Sequence, residues 1–114
     1  MDFACHDSGD IRLIAVEASR IDAAAAIQFK DGLRELTADG PTRVILDLSE
    51  VSFLDSSGLG AVVAAMKQIG DGRRLELAGL TPNVEKVFHL TRMDTVFTIH
   101  RDVDALGLGF RNAG

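Results

Sequence analysis

Between Val44 and Ile69 the apolar residues change their period, and this change restricts the fold more than any other feature of the chain. Val44-Ile45-Leu46-Asp47-Leu48 is a nearly continuous aliphatic run of strand length, the pattern of a mostly buried strand. From Ser56 onward, Leu59, Val62, Val63, Met66 and Ile69 recur at helical spacing and mark one apolar face. Gly70-Asp71-Gly72 ends that helix. The same alternation continues on both sides. Phe3 to His6 and residues 11–16 read as a hairpin around Ser8-Gly9-Asp10. Asp22 caps a helix carrying Ala26, Phe29, Leu33 and Leu36, which Asp39-Gly40-Pro41 stops. Leu75 to Ala78 is a strand, and Thr81 with Pro82 opens a helix through Leu90. Thr95 to His100 is strand-like, and Asp102 caps a last helix with Val103, Leu106 and Phe110, weakened by Gly107 and Gly109.

The predicted order is therefore β-β-α-β-α-β-α-β-α. Strands separated by helices pair in parallel, and the leading hairpin adds an antiparallel edge. The expected fold is an α/β single domain over residues 1–114, with helices packed against a mixed β-sheet. At 114 residues such a domain buries roughly 65% of its unfolded surface and needs no disulfide or metal staple. No linker or internal repeat divides it.

Composition removes several function classes. The net charge of −5 argues against nucleic acid or anionic lipid as the main partner, since both require clustered Lys and Arg. Without Trp or Tyr, platforms for base stacking are poorly supplied. No run approaches 18 apolar residues, so no membrane insertion is expected. Met1 to Asp7 lacks the basic and apolar regions of a signal peptide. The single Cys5 makes no internal disulfide and is expected as a small apolar residue of the first strand. These features point to a cytoplasmic protein. His6, His89 and His100 are dispersed, so neither a metal site nor a catalytic triad is expected. No serine lies in a nucleophile-elbow pattern and no Walker motif is present. We expect neither an enzyme nor a bound cofactor, and Gly58-Leu59-Gly60 at a helix start is the one feature that invites a nucleotide phosphate.

The informative window is Leu48 to Gly60, where a strand runs out and Asp55-Ser56-Ser57-Gly58 leads into the amphipathic helix. Asp55 and Ser56 are both N-cap residue types, and the unpaired N–H groups of a first turn receive anions well. A phosphate on Ser56 would carry about −1.5 to −2 charges and would sit at such an end without melting the helix. A serine that merely caps the helix is the competing reading. Gly58 and Gly60 are expected to let another chain approach the backbone. Leu59, Val63 and Met66 are expected in the core. The opposite face, Gly60, Ala61, Ala64 and Lys67, is a candidate interaction surface.

Leu48-x-x-Val51-x-Phe53-x-Asp55-Ser56-Ser57-Gly58-Leu59-Gly60 resembles the signature of the STAS domains of bacterial anti-sigma factor antagonists. The likeness continues through Lys67-Gln68-Ile69-Gly70 and through Thr81-Pro82-x-Val84-x-Lys86-Val87-Phe88. The resemblance implies partner switching. An unphosphorylated antagonist binds a serine/threonine kinase that is also an anti-sigma factor, of the histidine-kinase-like ATPase type. Phosphorylation of the serine after the motif's Asp releases it, and a PP2C-type phosphatase resets it. Carried onto this chain, Ser56 is the phosphorylated residue, with Ser57 the second choice. Asp22, Asp55, Ser56, Ser57, Gly58, Leu59 and Gly60 form the partner surface. Before the first helix the family has a Gly-acid-Leu-Asp type stretch, whereas this chain has Ser19-Arg20-Ile21-Asp22. Arg20 is then available to a phosphate or to Asp55. The alternative within the same family is a constitutive binding subunit of a phospholipid-trafficking ABC transporter.

Overall fold

A computed structural model describes residues 1–106. Strands β1 (Asp2–Ser8) and β2 (Ile11–Glu17) form the expected hairpin, with β1 longer than Phe3 to His6. They pair antiparallel from Asp2 opposite Glu17 to Ser8 opposite Ile11. Gly9 takes φ +60° in the two-residue turn, which suits the right-handed twist of the flanking strands. There follow β3 (Arg20–Ile21), α1 (Ala23–Leu36), β4 (Arg43–Asp47), β5 (Phe53–Leu54), α2 (Ser56–Gln68), β6 (Arg74–Ala78), α3 (Pro82–Leu90) and β7 (Ile99–His100). Five strands form one mixed sheet in the order β1-β2-β4-β6-β7, with β1 antiparallel to β2 and the other neighbours parallel. Strands β3 and β5 form a separate parallel ribbon.

The period-2 alternation of the strands divides the sheet into two faces. Ile14, Val16, Val44, Leu46, Leu75 and Leu77 meet Ala26, Phe29 and Leu33 of α1, Val62 and Ala65 of α2, and Val84 and Phe88 of α3. The alternate residues Ile11, Leu13, Ile45 and Ala78 form a smaller cluster on the other face, under Val103 and Leu106. Cover on both faces is why Val44 to Leu48 reads as a continuous apolar run.

The second face also holds a buried charge. Glu76 is 3% exposed and receives both ends of the Arg43 guanidinium at 2.8 Å, with His100 Nε2 at 2.7 Å. Arg74 lies 3.4 Å away. The Arg43 hydrogen bonds outweigh the opposing effect of burial and, with help from His100, pull the Glu76 carboxyl down to about 2.

Four expectations change. Thr95 to His100 is not one strand, since Met93–Thr95 forms a 3-10 turn after Arg92 reverses the chain at φ 61°. Phe97 turns into the core against Phe88, edge to face at 5.9 Å, and leaves Ile99–His100 to pair with β6. Instead of a last helix, residues Val103–Leu106 form a 3-10 turn, and Phe110 lies outside the described residues. Thr81 occupies the cap position of α3, but its hydroxyl donates to the Val51 carbonyl at 2.7 Å rather than capping. Cys5 lies in β1 as expected but is exposed, because β1 is the sheet edge.

Candidate functional site

The site is assembled by the short β3–β5 ribbon. Ser19 O accepts from Ser52 N at 2.9 Å, Phe53 N at 3.2 Å and Ser52 Oγ at 3.1 Å. Arg20 pairs with Phe53 and Ile21 with Leu54, and Asp55 N donates to Ile21 O at 3.4 Å. The chain entering α1 and the chain entering α2 therefore run side by side, and the two helices start at one end of the molecule. Each start has an aspartate cap. Asp22 Oδ1 accepts from Ala25 N at 3.1 Å, and Asp55 Oδ1 accepts from Gly58 N at 2.9 Å. Both caps keep extended backbone, with φ/ψ of −105°/−171° and −97°/−171°. Strand alternation thus carries on through them. Ile21 and Leu54 point inward and are buried, whereas Arg20, Asp22, Phe53 and Asp55 share the outer face.

On that outer face the Arg20 guanidinium lies 4.2 Å over the Phe53 ring centroid, and its Nε is 3.5 Å from Asp22 Oδ2. Arg20 therefore pairs with Asp22 and not with Asp55. The Asp22 carboxyl titrates below the ordinary range, first because of the Ala25 N–H and then because of Arg20.

Ser56 and Ser57 are the first residues of α2, and both are exposed. Asp55 takes the cap, so neither serine fills it. Asp22 and Asp55 are half-buried, Leu59 is half-buried, and Gly60 is exposed with open space around it. Gly58 is different. It is buried, and a Cβ there would overlap the carbonyl oxygen of Ile21. Its missing side chain serves the close approach of α2 to β3 within the chain, which corrects the expectation that it faces a partner. Nor is it a free donor for a nucleotide phosphate, because its N–H is held by Asp55. The buried face of α2 is Gly58, Ala61, Val62 and Ala65, one step from the expected Leu59, Val63 and Met66, which are half-buried on the flank. Small residues win this face because α1 packs closely alongside. Ala61 consequently leaves the candidate interaction surface.

Sequence reasoning missed two exposed apolar side chains, Phe53 within the ribbon and Ile27 on α1. Phe53 is 38% exposed beneath Arg20, and Ile27 is 64% exposed on α1. Ile27 lies off the Ala26–Phe29–Leu33 face, a signal that was present in the periodicity. His89 Nδ1 pairs with Asp94 and His100 Nε2 with Glu76. Among the described residues, no group of three or more His, Cys, Asp or Glu side chains is placed to hold a metal ion. None of the described helices is long and apolar enough to cross a membrane.

The STAS domain family model matches residues 6–106. The chain belongs to the STAS domain family. This STAS domain is 32% identical to the anti-sigma-B factor antagonist of Listeria monocytogenes, over 72% of this chain and 73% of that one. Its fold superposes on the crystal structure of an anti-sigma factor antagonist from Mycobacterium paratuberculosis with a TM-score of 0.82, at 26% identity, covering 93% of this chain and 91% of that chain. SpoIIAA of Bacillus shares the fold in two solved forms. The unphosphorylated form gives a TM-score of 0.71 at 23% identity over 92% of this chain and 93% of that one. The phosphorylated form gives 0.66 at 21% over 93% and 97%.

Proposed function

We propose that this STAS domain is an anti-sigma factor antagonist that switches partners through phosphorylation of Ser56. The observation that carries this reading is the division of labour at the start of α2. Asp55 does the capping, which leaves the Ser56 hydroxyl exposed and uncommitted at the first helical position. A serine that merely capped the helix would occupy the Asp55 position. The family to which the chain belongs, and the relatives named anti-sigma factor antagonists, support the same reading.

Unphosphorylated, the protein binds a serine/threonine kinase that doubles as an anti-sigma factor, of the histidine-kinase-like ATPase type. The kinase transfers phosphate to Ser56, and a PP2C-type phosphatase removes it. The surface that meets the kinase includes Asp22, Asp55, Ser56, Ser57, Leu59 and Gly60, where Gly60 leaves open space for a neighbouring backbone. The outer face already carries two carboxylates against one guanidinium. A phosphate adds about −1.5 to −2 charges there. At an effective dielectric of 20, each unit charge meeting a like charge 6 Å away in the interface costs about 3 kcal/mol. Every 1.4 kcal/mol is a factor of ten in affinity, so release needs no refolding of the domain.

The test is a pull-down from native lysate with the wild type, Ser56→Ala and Ser56→Asp as baits, read by mass spectrometry. Wild type and Ser56→Ala should retain a histidine-kinase-like ATPase that Ser56→Asp loses. If all three retain one transporter ATPase equally, the switch is refuted and the constitutive-subunit reading takes its place.

A further inference from the structure

Ser19-Arg20-Ile21-Asp22 puts a cation where the family pattern has an acid, and the structure shows where that cation goes. Its root is fixed by pairing with β5, and its guanidinium is stacked on Phe53 while leaning on Asp22 at 3.5 Å. The Arg20 side chain is 58% exposed, so the head is free to change partner without disturbing the core. Phe53 stands two residues before Asp55 and three before Ser56, on the same outer face of the ribbon. The charged side chains of that face are Arg20, Asp22 and Asp55.

We propose that Arg20 is the built-in counter-ion of phosphorylated Ser56, exchanging Asp22 for the phosphate when the serine is modified. The proposal rests on Ser56 being the modified residue. Competition between the two anions favours the exchange. Asp22 is a single negative charge that already has a backbone donor in Ala25 N–H, and it meets Arg20 through one long contact. A phosphoserine offers up to two charges and three acceptor oxygens, which a planar guanidinium binds in bidentate fashion. The Phe53 ring already restrains the guanidinium in the unmodified protein, so little further side-chain freedom is lost on transfer. Two consequences follow. Asp22 loses its cation on phosphorylation, so a partner meets a bare carboxylate there. The phosphate is partly neutralised, so the switch is softer than the charge count alone implies.

The experiment uses the full chain with phosphoserine placed at position 56 during synthesis by codon suppression, so that no kinase is required. Phosphorus NMR titrations compare Arg20, Arg20→Lys and Arg20→Gln backgrounds. With Arg20 present, the second phosphate ionisation should fall about 0.5 unit below its value in Arg20→Gln, with Arg20→Lys between them. In the wild type, the Arg20 Nε–H resonance should also move between the unmodified and phosphorylated proteins. Coincident midpoints in Arg20 and Arg20→Gln, or an unmoved Arg20 resonance, would overturn the proposal. Because the wild-type resonance needs no variant, the test survives any folding defect in Arg20→Gln. Failure of the underlying Ser56 reading appears separately, as absence of phosphate on Ser56 in protein recovered from native cells.

Discussion

Glu76 offers a prediction whose size comes directly from the structure. Its carboxylate is buried on the sheet face opposite α1, α2 and α3, doubly bonded by Arg43 and bonded by His100, and its ionisation falls from an ordinary 4.5 to about 2. At about 1.4 kcal/mol per pKa unit, that displacement corresponds to roughly 3 kcal/mol of stability. The folded-state value is depressed, so this contribution is present above the unfolded-state value and is lost as pH falls through the folded-state value. It is close to complete at pH 5, about half its size at pH 3 and nearly gone at pH 2. Glu76→Gln keeps the shape and one acceptor but removes the charge. Urea denaturation followed by circular dichroism should show the variant about 3 kcal/mol less stable than wild type at pH 5, with the gap narrowing to about half at pH 3. Both conditions lie below the ordinary histidine range. The remaining carboxylates titrate alike in the two proteins and drop out of the difference. A gap of the same size at pH 5 and pH 3 would mean that the lost stability is packing and not charge, and the argument for a buried ionised Glu76 would fail.

Other expectations follow from the site and its supports. Gly58→Ala should destabilise the domain by about 2 kcal/mol in the same urea assay, because the new methyl meets the Ile21 carbonyl, whereas Gly60→Ala, facing open space, should be neutral or stabilising by up to about 1 kcal/mol. A larger loss at Gly60 than at Gly58 would contradict the placement of the two glycines. Asp55→Ala removes the acceptor for Gly58 N–H and should lower stability by about 1 kcal/mol, with amide resonances shifting in the first turn of α2. Arg73 donates to the carbonyls of Thr37, Pro41 and Asp39 beyond the end of α1, so Arg73→Ala should lower the thermal midpoint and leave the set of proteins captured by the wild-type bait unchanged.

How much of this was legible in the sequence depends on the range of the forces involved. The caps at Asp22 and Asp55 are local: a carboxylate reaches three residues ahead, and both follow from the residue type and the period that comes after. The hairpin and the three helices are local in the same sense. The β3–β5 ribbon is not, because Arg20–Ile21 and Phe53–Leu54 are too short to show any period, and the hydrogen bonds of Ser19 O with Ser52 and Phe53 and of Ile21 O with Asp55 establish them. The stretch from Thr95 to His100 is rich in strand-forming residues, yet Phe97 is claimed by Phe88, a contact that no local pattern contains. Glu76 reads as the outward residue of an alternating strand. Its burial emerges only when the register sets Arg43 and His100 on its diagonals, from β4 and β7.

The motif's residue order has the same local logic. The extended position before a helix can be filled by Asp or Ser, and whichever stands there gives its oxygen to the first-turn N–H groups. With Asp55 in that position, the hydroxyl that follows begins the helix with nothing to hold, exposed where incoming negative charge is received by the N-terminal end of α2. Gly58 completes the arrangement from below. Because it lacks a side chain, α2 can rest on the Ile21 carbonyl, and this brings the Asp55–Ser56 pair level with Asp22 and Arg20. The order Asp-Ser-Ser-Gly thus separates three tasks among neighbouring residues. Asp55 holds the helix, Ser56 keeps an exposed hydroxyl, and Gly58 sets the height at which that hydroxyl stands beside the adjoining strand.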